Sequence, residues 1–376
     1  MANLFYIHTP FQLFIAQQII YSRKLVDNIM LYGYIGNNHK FVELYDFIAI
    51  EEFWSEKYYI EDINKWPLFN TSNVISGYYK TKHNKKKIDA IISRHNVSSI
   101  FFGDVNNLGY QLLMYYYSVH NIDVIIFEEG LSHYENAYRN VFESTFVVRY
   151  LKAIVCDIIF YVPIWHKRFA KNIYLHRLSS SALPITERYS IRPYYSEKYD
   201  IILNPNCVMS EKVIGYIKDE IDKIDTSNAI LFLSEPFGEF SSMGRRIARE
   251  TLKSTLSSLS SDLEVLIKFH PRETLTDKED IIAIFKDHNI KYRIICEQIN
   301  IPIEYFLQVI RFRMILTYLC SSVIYNGYLY PQVQVKSLLP QYYKLTIEYN
   351  AVNEAKIVNN ILNSRIYKLI IGEELN

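Results

Sequence analysis

The sequence predicts an α/β protein made of two Rossmann-like lobes whose mostly parallel sheets face a central cleft. Three observations carry this. Short apolar runs alternate with stretches of helical period along both halves, the alternation lapses once near the middle, and 376 residues exceed what one ordinary core uses. Alternation of this kind specifies parallel strands with helices on both faces.

The elements follow in order. "NLFYIHTP" is an apolar run ending in Thr9-Pro10, and "FQLFIAQQIIYSRK" follows with Phe11, Phe14, Ile15 and Gln18 at helical spacing, so a strand enters a helix. "NIMLYGYIG" reads as a strand, "KKKIDAIISRHN" as a helix, "VSSIFFGD" as a strand, "LGYQLLMYYYSVHN" as a helix and "IDVIIFEEG" as a strand. The second half repeats the scheme with "AILFLSEP", "LEVLIKFHP", "YRIICEQ", "MILTYLCSSVIYN" and "QVQVKS". Prolines, tyrosines and mixed charges break the periodicity over Ser190 to Asp200, which predicts one lobe over 1–195 and a second over 196–376.

Composition narrows the function classes. With 49% hydrophobic and 22% charged residues, the chain can bury enough apolar surface to fold as a globular protein. A net charge of +1 supplies no chain-wide field for a polyanion, so nucleic acid is not an expected partner. Cys156, Cys207, Cys296 and Cys320 are far apart, which signals neither a zinc knuckle nor a disulfide framework and fits reduced thiols in a cytoplasm. The opening residues lack the charged region and cleavage site of a secretory signal. Tyr150 to Trp165 is the most apolar long segment, but Lys152 and Asp157 interrupt it and it falls short of the roughly 20 residues a bilayer needs. It reads as a buried or interface element. The run "KTKHNKKK", Lys80 to Lys87, reads as a solvated helix start, the alternative being contact with anionic lipid at the inner membrane or with an acidic glycan.

Ligands in open α/β sheets sit beyond the carboxyl ends of the strands, so polar residues there are the candidates. Glu128 and Glu129 end one apolar run; mutual repulsion and lost solvation raise carboxylate pKa values, which suits one of them to general-base work. Gly130 allows close backbone approach to a ligand. Ser234 stands in "SEP" at another strand end. In "KFHPRE", His270 is a proton donor near neutral pH, Pro271 fixes its direction of exit from the sheet, and Arg272 suits a phosphate. Ser321 and Ser322 at a helix start would hold phosphate oxygens, and Glu297 after "YRIIC" would accept ribose hydroxyls. Each has a structural alternative: an acidic turn, a histidine satisfied by a loop carbonyl, an N-cap or a solvated strand end. Together they describe a nucleotide-sugar transferase, with the nucleotide expected against the lobe over 196–376 and the acceptor entering from the lobe over 1–195. No D-x-D carboxylate pair exists, and a monophosphate-linked donor needs less neutralisation than a diphosphate, so neither metal nor other cofactor is expected.

With these residues in place the chain resembles the bacterial sialyltransferases of capsule and lipooligosaccharide synthesis, which share an acid-acid-glycine motif, a His-Pro motif and a paired Ser/Thr motif in that order. Here these are Glu128-Glu129-Gly130, His270-Pro271 and Ser321-Ser322. The order and spacing resemble the capsule polysialyltransferase group, and the opening "YIHTPFQLFIAQQII" is similar to the lipooligosaccharide group. The resemblance implies a GT-B architecture, a CMP-sialic acid donor, a glycan acceptor, inversion at the anomeric carbon and no metal. It also implies Glu129 as base, His270 as acid or stabiliser of the departing phosphate, Ser321 and Ser322 as phosphate holders and Glu297 as ribose acceptor. The lipooligosaccharide group places an acid just after the strand matching "LFLSEP"; Phe237 stands there in this chain, which makes Glu235 and Glu239 rivals to Glu129. Other readings are a transferase using a different CMP- or CDP-linked donor, a sugar-nucleotide epimerase, and a non-catalytic glycan-binding module suggested by 33 tyrosines.

Overall fold

A computed structural model of the chain describes residues 1–34, 40–61, 71–103, 113–114, 117–118, 120–128, 186–191, 200–203, 208–236, 241–260 and 263–371. The chain divides into two units, Met1–Ser210 and Glu211–Asn376. The first holds β1 (Ala2–Ile7), α1 (Pro10–Arg23), β2 (Asn28–Tyr34), α2 (Lys40–Ile48), β3 (Glu56–Glu61), α3 (Thr71–His95), β4 (Val97–Phe102), β5 (Asp123–Phe127), β6 (Glu187–Ser190) and β7 (Asp200–Ile202). Its seven strands pair in parallel in the order β3-β2-β1-β4-β5-β6-β7, so the segment at 200–202 belongs to the first sheet.

Alternation along the strands builds this core. Leu4 and Tyr6 pack on one face with Ile29, Leu31, Ile100 and Phe102, and Ile88 and Ile91 of α3 cover them. The opposite face carries Phe5 stacked on Phe101, with ring centroids 4.1 Å apart, and Trp54 edge-on to Phe5. The strand predicted from "NLFYIHTP" turns into α1 through a capping box: Gln12 N–H donates to Thr9 Oγ1 at 3.2 Å and Gln12 Oε1 accepts from Thr9 N–H at 3.3 Å. Pro10 takes the first helical turn, where its missing N–H costs nothing. Lys24, left-handed at φ 52, ends the helix. Helix α3 runs 25 residues, well beyond the predicted "KKKIDAIISRHN"; it leaves Lys82, His83, Lys86 and Lys87 exposed, as expected of a solvated charge run.

The second unit holds α4 (Glu211–Glu220), β8 (Ala229–Leu233), α5 (Ser242–Leu256), β9 (Glu264–Lys268), α6 (Leu275–Asp287), β10 (Lys291–Ile294), α7 (Ile303–Val309), β11 (Met314–Thr317), β12 (Gln334–Ser337), α8 (Leu339–Glu348), α9 (Val352–Leu362) and α10 (Arg365–Ile370). Five parallel strands pair in the order β10-β9-β8-β11-β12. One face of the sheet, with Ile230, Phe232, Val265, Ile267 and Leu316, packs against Ile247 and Leu252 of α5, Phe285 of α6 and Tyr342 of α8. Because β8 and β11 carry the chain away in opposite directions, the order reverses between them. Their carboxyl ends form the switch point at which such sheets bind ligands. Among the described residues no helix is long and apolar enough to cross a membrane. The apolar segment Tyr150 to Trp165 lies outside the described residues.

Candidate active site

Ser234, Lys268 and His270 stand at the carboxyl ends of β8 and β9, and a buried carboxylate joins the serine to the histidine. Glu273, 8% exposed, accepts the His270 backbone N–H at Oε2, 2.5 Å away, and the Ser234 hydroxyl at Oε1. Glu273 N–H in turn donates to the His270 carbonyl at 3.0 Å. The loop is therefore clamped to two strand ends, and Ser234, expected to touch substrate, is a buried partner of Glu273. Pro271 and Arg272 form the exposed tip of the loop.

The loop also fixes the proton on the imidazole. Arg272 N–H donates to His270 Nδ1 at 3.2 Å, so Nδ1 is an acceptor and a neutral His270 carries its hydrogen on Nε2. Burial, followed by the Arg272 and Lys268 cations, pushes the His270 pKa down to about 4. At neutral pH His270 is an uncharged donor beside two cations. Lys268 is itself buried and donates to Asn300 Oδ1 at 2.5 Å.

Carboxyls at the same edge behave in the opposite way. Glu235, half-buried after β8, has its pKa pushed up to about 8, chiefly by burial and then by the neighbouring Glu273 charge, while the Leu319 backbone N–H partly offsets the rise. That N–H belongs to the chain leaving β11, so the Glu235 carboxyl spans the switch point. Glu273 rises to about 7 through burial, against the hydrogen bonds from Ser234 and His270.

Ser321 and Ser322 open a 3₁₀ turn, Ser321–Tyr325, with Cys320 at its N-cap. The two serines differ in role. Ser322 is buried, its hydroxyl donates to the buried Glu304 carboxyl on α7, and its carbonyl accepts Tyr330 Oη at 2.7 Å. Ser321 remains half-buried at the turn's start. Burial raises the Glu304 pKa and pushes the Cys320 thiol up to about 12, which leaves that thiol protonated and unreactive. Glu297 lies exposed in the bend after the edge strand β10, where Cys296 adopts a left-handed φ of 59 and donates its N–H to Glu220 at 2.9 Å.

In the first unit Glu128 is fully buried after β5, and its Oε2 accepts the Ile191 N–H at 2.7 Å. That hydrogen bond ties β5 to the end of β6, a structural task. Glu129, Gly130, Phe237 and Glu239 lie outside the described residues. Sequence reading overlooked two residues, Glu273 and Glu304. The signal for Glu304 was available: a lone acid inside the apolar stretch "IPIEYFL".

Comparison with solved structures shows what the fold resembles. The UDP-GlcNAc 2-epimerase from Neisseria meningitidis bound to UDP-GlcNAc superposes with a TM-score of 0.52 at 12% identity, covering 91% of this chain and 85% of that one. Acinetobacter baumannii MurG gives 0.42 at 10% identity, covering 99% and 94%. A UDP-glucosyltransferase from Polygonum tinctorium gives 0.46 at 10%, covering 99% and 92%. The first of these likenesses establishes the GT-B type of fold and no more. A search of curated proteins found no sequence match. The family model for alpha-2,8-polysialyltransferase (POLYST) matches residues 3–339, nearly the whole chain, and the chain therefore belongs to the alpha-2,8-polysialyltransferase family.

Proposed function

We propose that this sialyltransferase-type glycosyltransferase moves sialic acid from CMP-sialic acid to a hydroxyl of a bacterial surface glycan, inverting the anomeric carbon without a metal. The observation that carries the reading is the imidazole of His270, clamped by Glu273 and holding its proton on Nε2 beside Lys268 and Arg272. The bond from the anomeric carbon to the CMP phosphate oxygen breaks with an oxocarbenium-like transition state. His270 Nε2–H donates to the departing phosphate, and the cations at the loop stabilise its charge. The acceptor oxygen forms the new bond and loses its proton to a carboxylate. Arg272 and Ser321 suit the phosphate, and Glu297 suits the ribose.

Glu129 is the proposed base. One observation favours a second candidate: Glu235 stands at the switch point with its pKa pushed up to about 8, and such a carboxylate is a stronger base than an ordinary one. A pH profile separates the two, because base catalysis by Glu235 makes kcat/KM rise through pH 8, and Glu235→Gln abolishes that rise.

The experiment is transfer kinetics of His270→Ala with CMP binding measured in parallel. The expected result is a fall in kcat of about 100- to 10,000-fold, with CMP affinity changed far less. Near-normal turnover would remove His270 from the mechanism and the reading with it.

A further inference from the structure

The first sheet has a switch point of its own. Strand order reverses between β1 and β4, and α1 starts in the fork between their carboxyl ends. Gln12 fills that fork. Its Oε1 accepts from His8 N–H at 2.6 Å and from Thr9 N–H at 3.3 Å at the end of β1. On the β4 side the amide is so close to Gly103 that a Cβ there would lie 2.5 Å from Gln12 Cδ. Gly33, at the end of the other neighbouring strand, gives way in the same manner to His8: a Cβ would lie 2.7 Å from its Nδ1. Two glycines thus clear the strand ends for two polar side chains.

The amide is left half satisfied. Gln12 is fully buried, yet its Nε2 has no hydrogen-bond partner among the described residues. A buried amide donor without an acceptor destabilises the fold that holds it, so such a donor awaits an oxygen. The oxygen's charge follows from its surroundings. The fork lies at the positive end of the 14-residue α1, whose first turn has no acidic side chain, and the acid after β5, Glu128, is committed to Ile191 N–H.

We propose that the fork between β1 and β4 is the acceptor subsite, where the Gln12 Nε2–H donates to the carboxylate of an acidic terminal sugar and half-buried His8, seated towards β2, flanks it. This deepens the sialyltransferase reading and rests on it: a transferase that extends sialic acid with sialic acid takes an acceptor bearing a carboxylate.

The test is Gln12→Glu in the full chain. Glutamate keeps the oxygen that caps His8 and Thr9 but replaces the donor with a second, repelling oxygen. KM is measured for an oligosaccharide ending in sialic acid and for the same oligosaccharide with its terminal carboxyl reduced. The variant should raise KM for the acidic acceptor by about tenfold or more, the loss expected for a hydrogen bond to a charged group, and raise it much less for the reduced one. His8→Gln, at a half-buried position, should shift the same ratio in the same direction by a smaller factor. Equal effects on both acceptors, or an unchanged KM in both variants, would overturn the subsite and leave the amide's partner a buried water. The donor reading is judged separately on the wild-type chain, through CMP release from CMP-sialic acid; its absence there defeats the proposed function and says nothing against an anion in the fork.

Discussion

The carboxyl edges of the two sheets are built from different materials. In the second unit Glu235, Lys268, His270 and Glu273 crowd the ends of β8 and β9, and the pKa values of Glu235, His270 and Glu273 are displaced. In the first unit the corresponding edge holds an amide and an imidazole seated against two glycines, and Glu128, after β5, is tied to backbone. Displaced pKa values mark places where charge is made or moved, and neutral donors mark places where a ligand is oriented. Under the proposed function, this contrast fits departure of the nucleotide at the second unit and placement of the acceptor at the first.

The strongest way to break that comparison is to loosen the clamp. Glu273→Ala removes both hydrogen bonds that hold the His270 loop to the strand ends, and kcat should fall by about 10- to 100-fold although residue 273 is only 8% exposed. Glu273→Asp, which keeps the charge but shortens the reach, should recover part of the loss. A purely structural role would lower the melting temperature without lowering the kcat of the molecules that remain folded. Unchanged kcat in Glu273→Ala would show that the loop needs no clamp.

A gentler test uses pH. The Glu235 pKa is raised to about 8 in the folded chain from 4.5, so the folded state holds this proton more tightly than the unfolded state does. The stability linked to it is complete below about pH 4.5 and is lost as pH rises through 8. Glu235→Gln mimics the protonated form. Its melting temperature should match that of wild type near pH 5 and exceed it by a few degrees near pH 9, a shift of the size that about 1 kcal/mol produces. A difference that does not change with pH would mean that Glu235 meets water like an ordinary surface acid. His270 runs in the other sense: its pKa is depressed to about 4, so the unfolded chain gains protons first as pH falls below 6.5 and stability declines towards 4. Between them the two groups place the stability maximum in a mildly acidic band, from about pH 4.5 to 6.5, above which the Glu235 contribution falls away.

Much of this was legible in the sequence, for identifiable reasons. Strands buried on both faces betray themselves as continuous apolar runs, so β1, β4, β5, β8, β9 and β11 could be read directly. Strand β3 could not, because Glu56, Lys57 and Glu61 sit among its apolar residues at the sheet's edge. Strands β6 and β7 were too short, at four and three residues, to show a period. His270-Pro271 stood out because it interrupts an apolar run. Glu273 did not, since its partners are a backbone N–H and a serine hydroxyl that only folding brings near; Glu304 interrupts an apolar run in the same way as His270, and only its partner Ser322 was hidden. The division of labour between Ser321 and Ser322 was hidden for the same reason: adjacent hydroxyls look alike until one is seen to be buried against Glu304.

The claim on which the comparison depends is that the charged edge is matched to a cytidine monophosphate. Calorimetric titration of the full chain with CMP, UMP, ADP and GDP tests it most directly. CMP should bind at least about tenfold more tightly than each of the others, a margin of about 1.4 kcal/mol. Equal affinities, or a preference for a diphosphate, would contradict it.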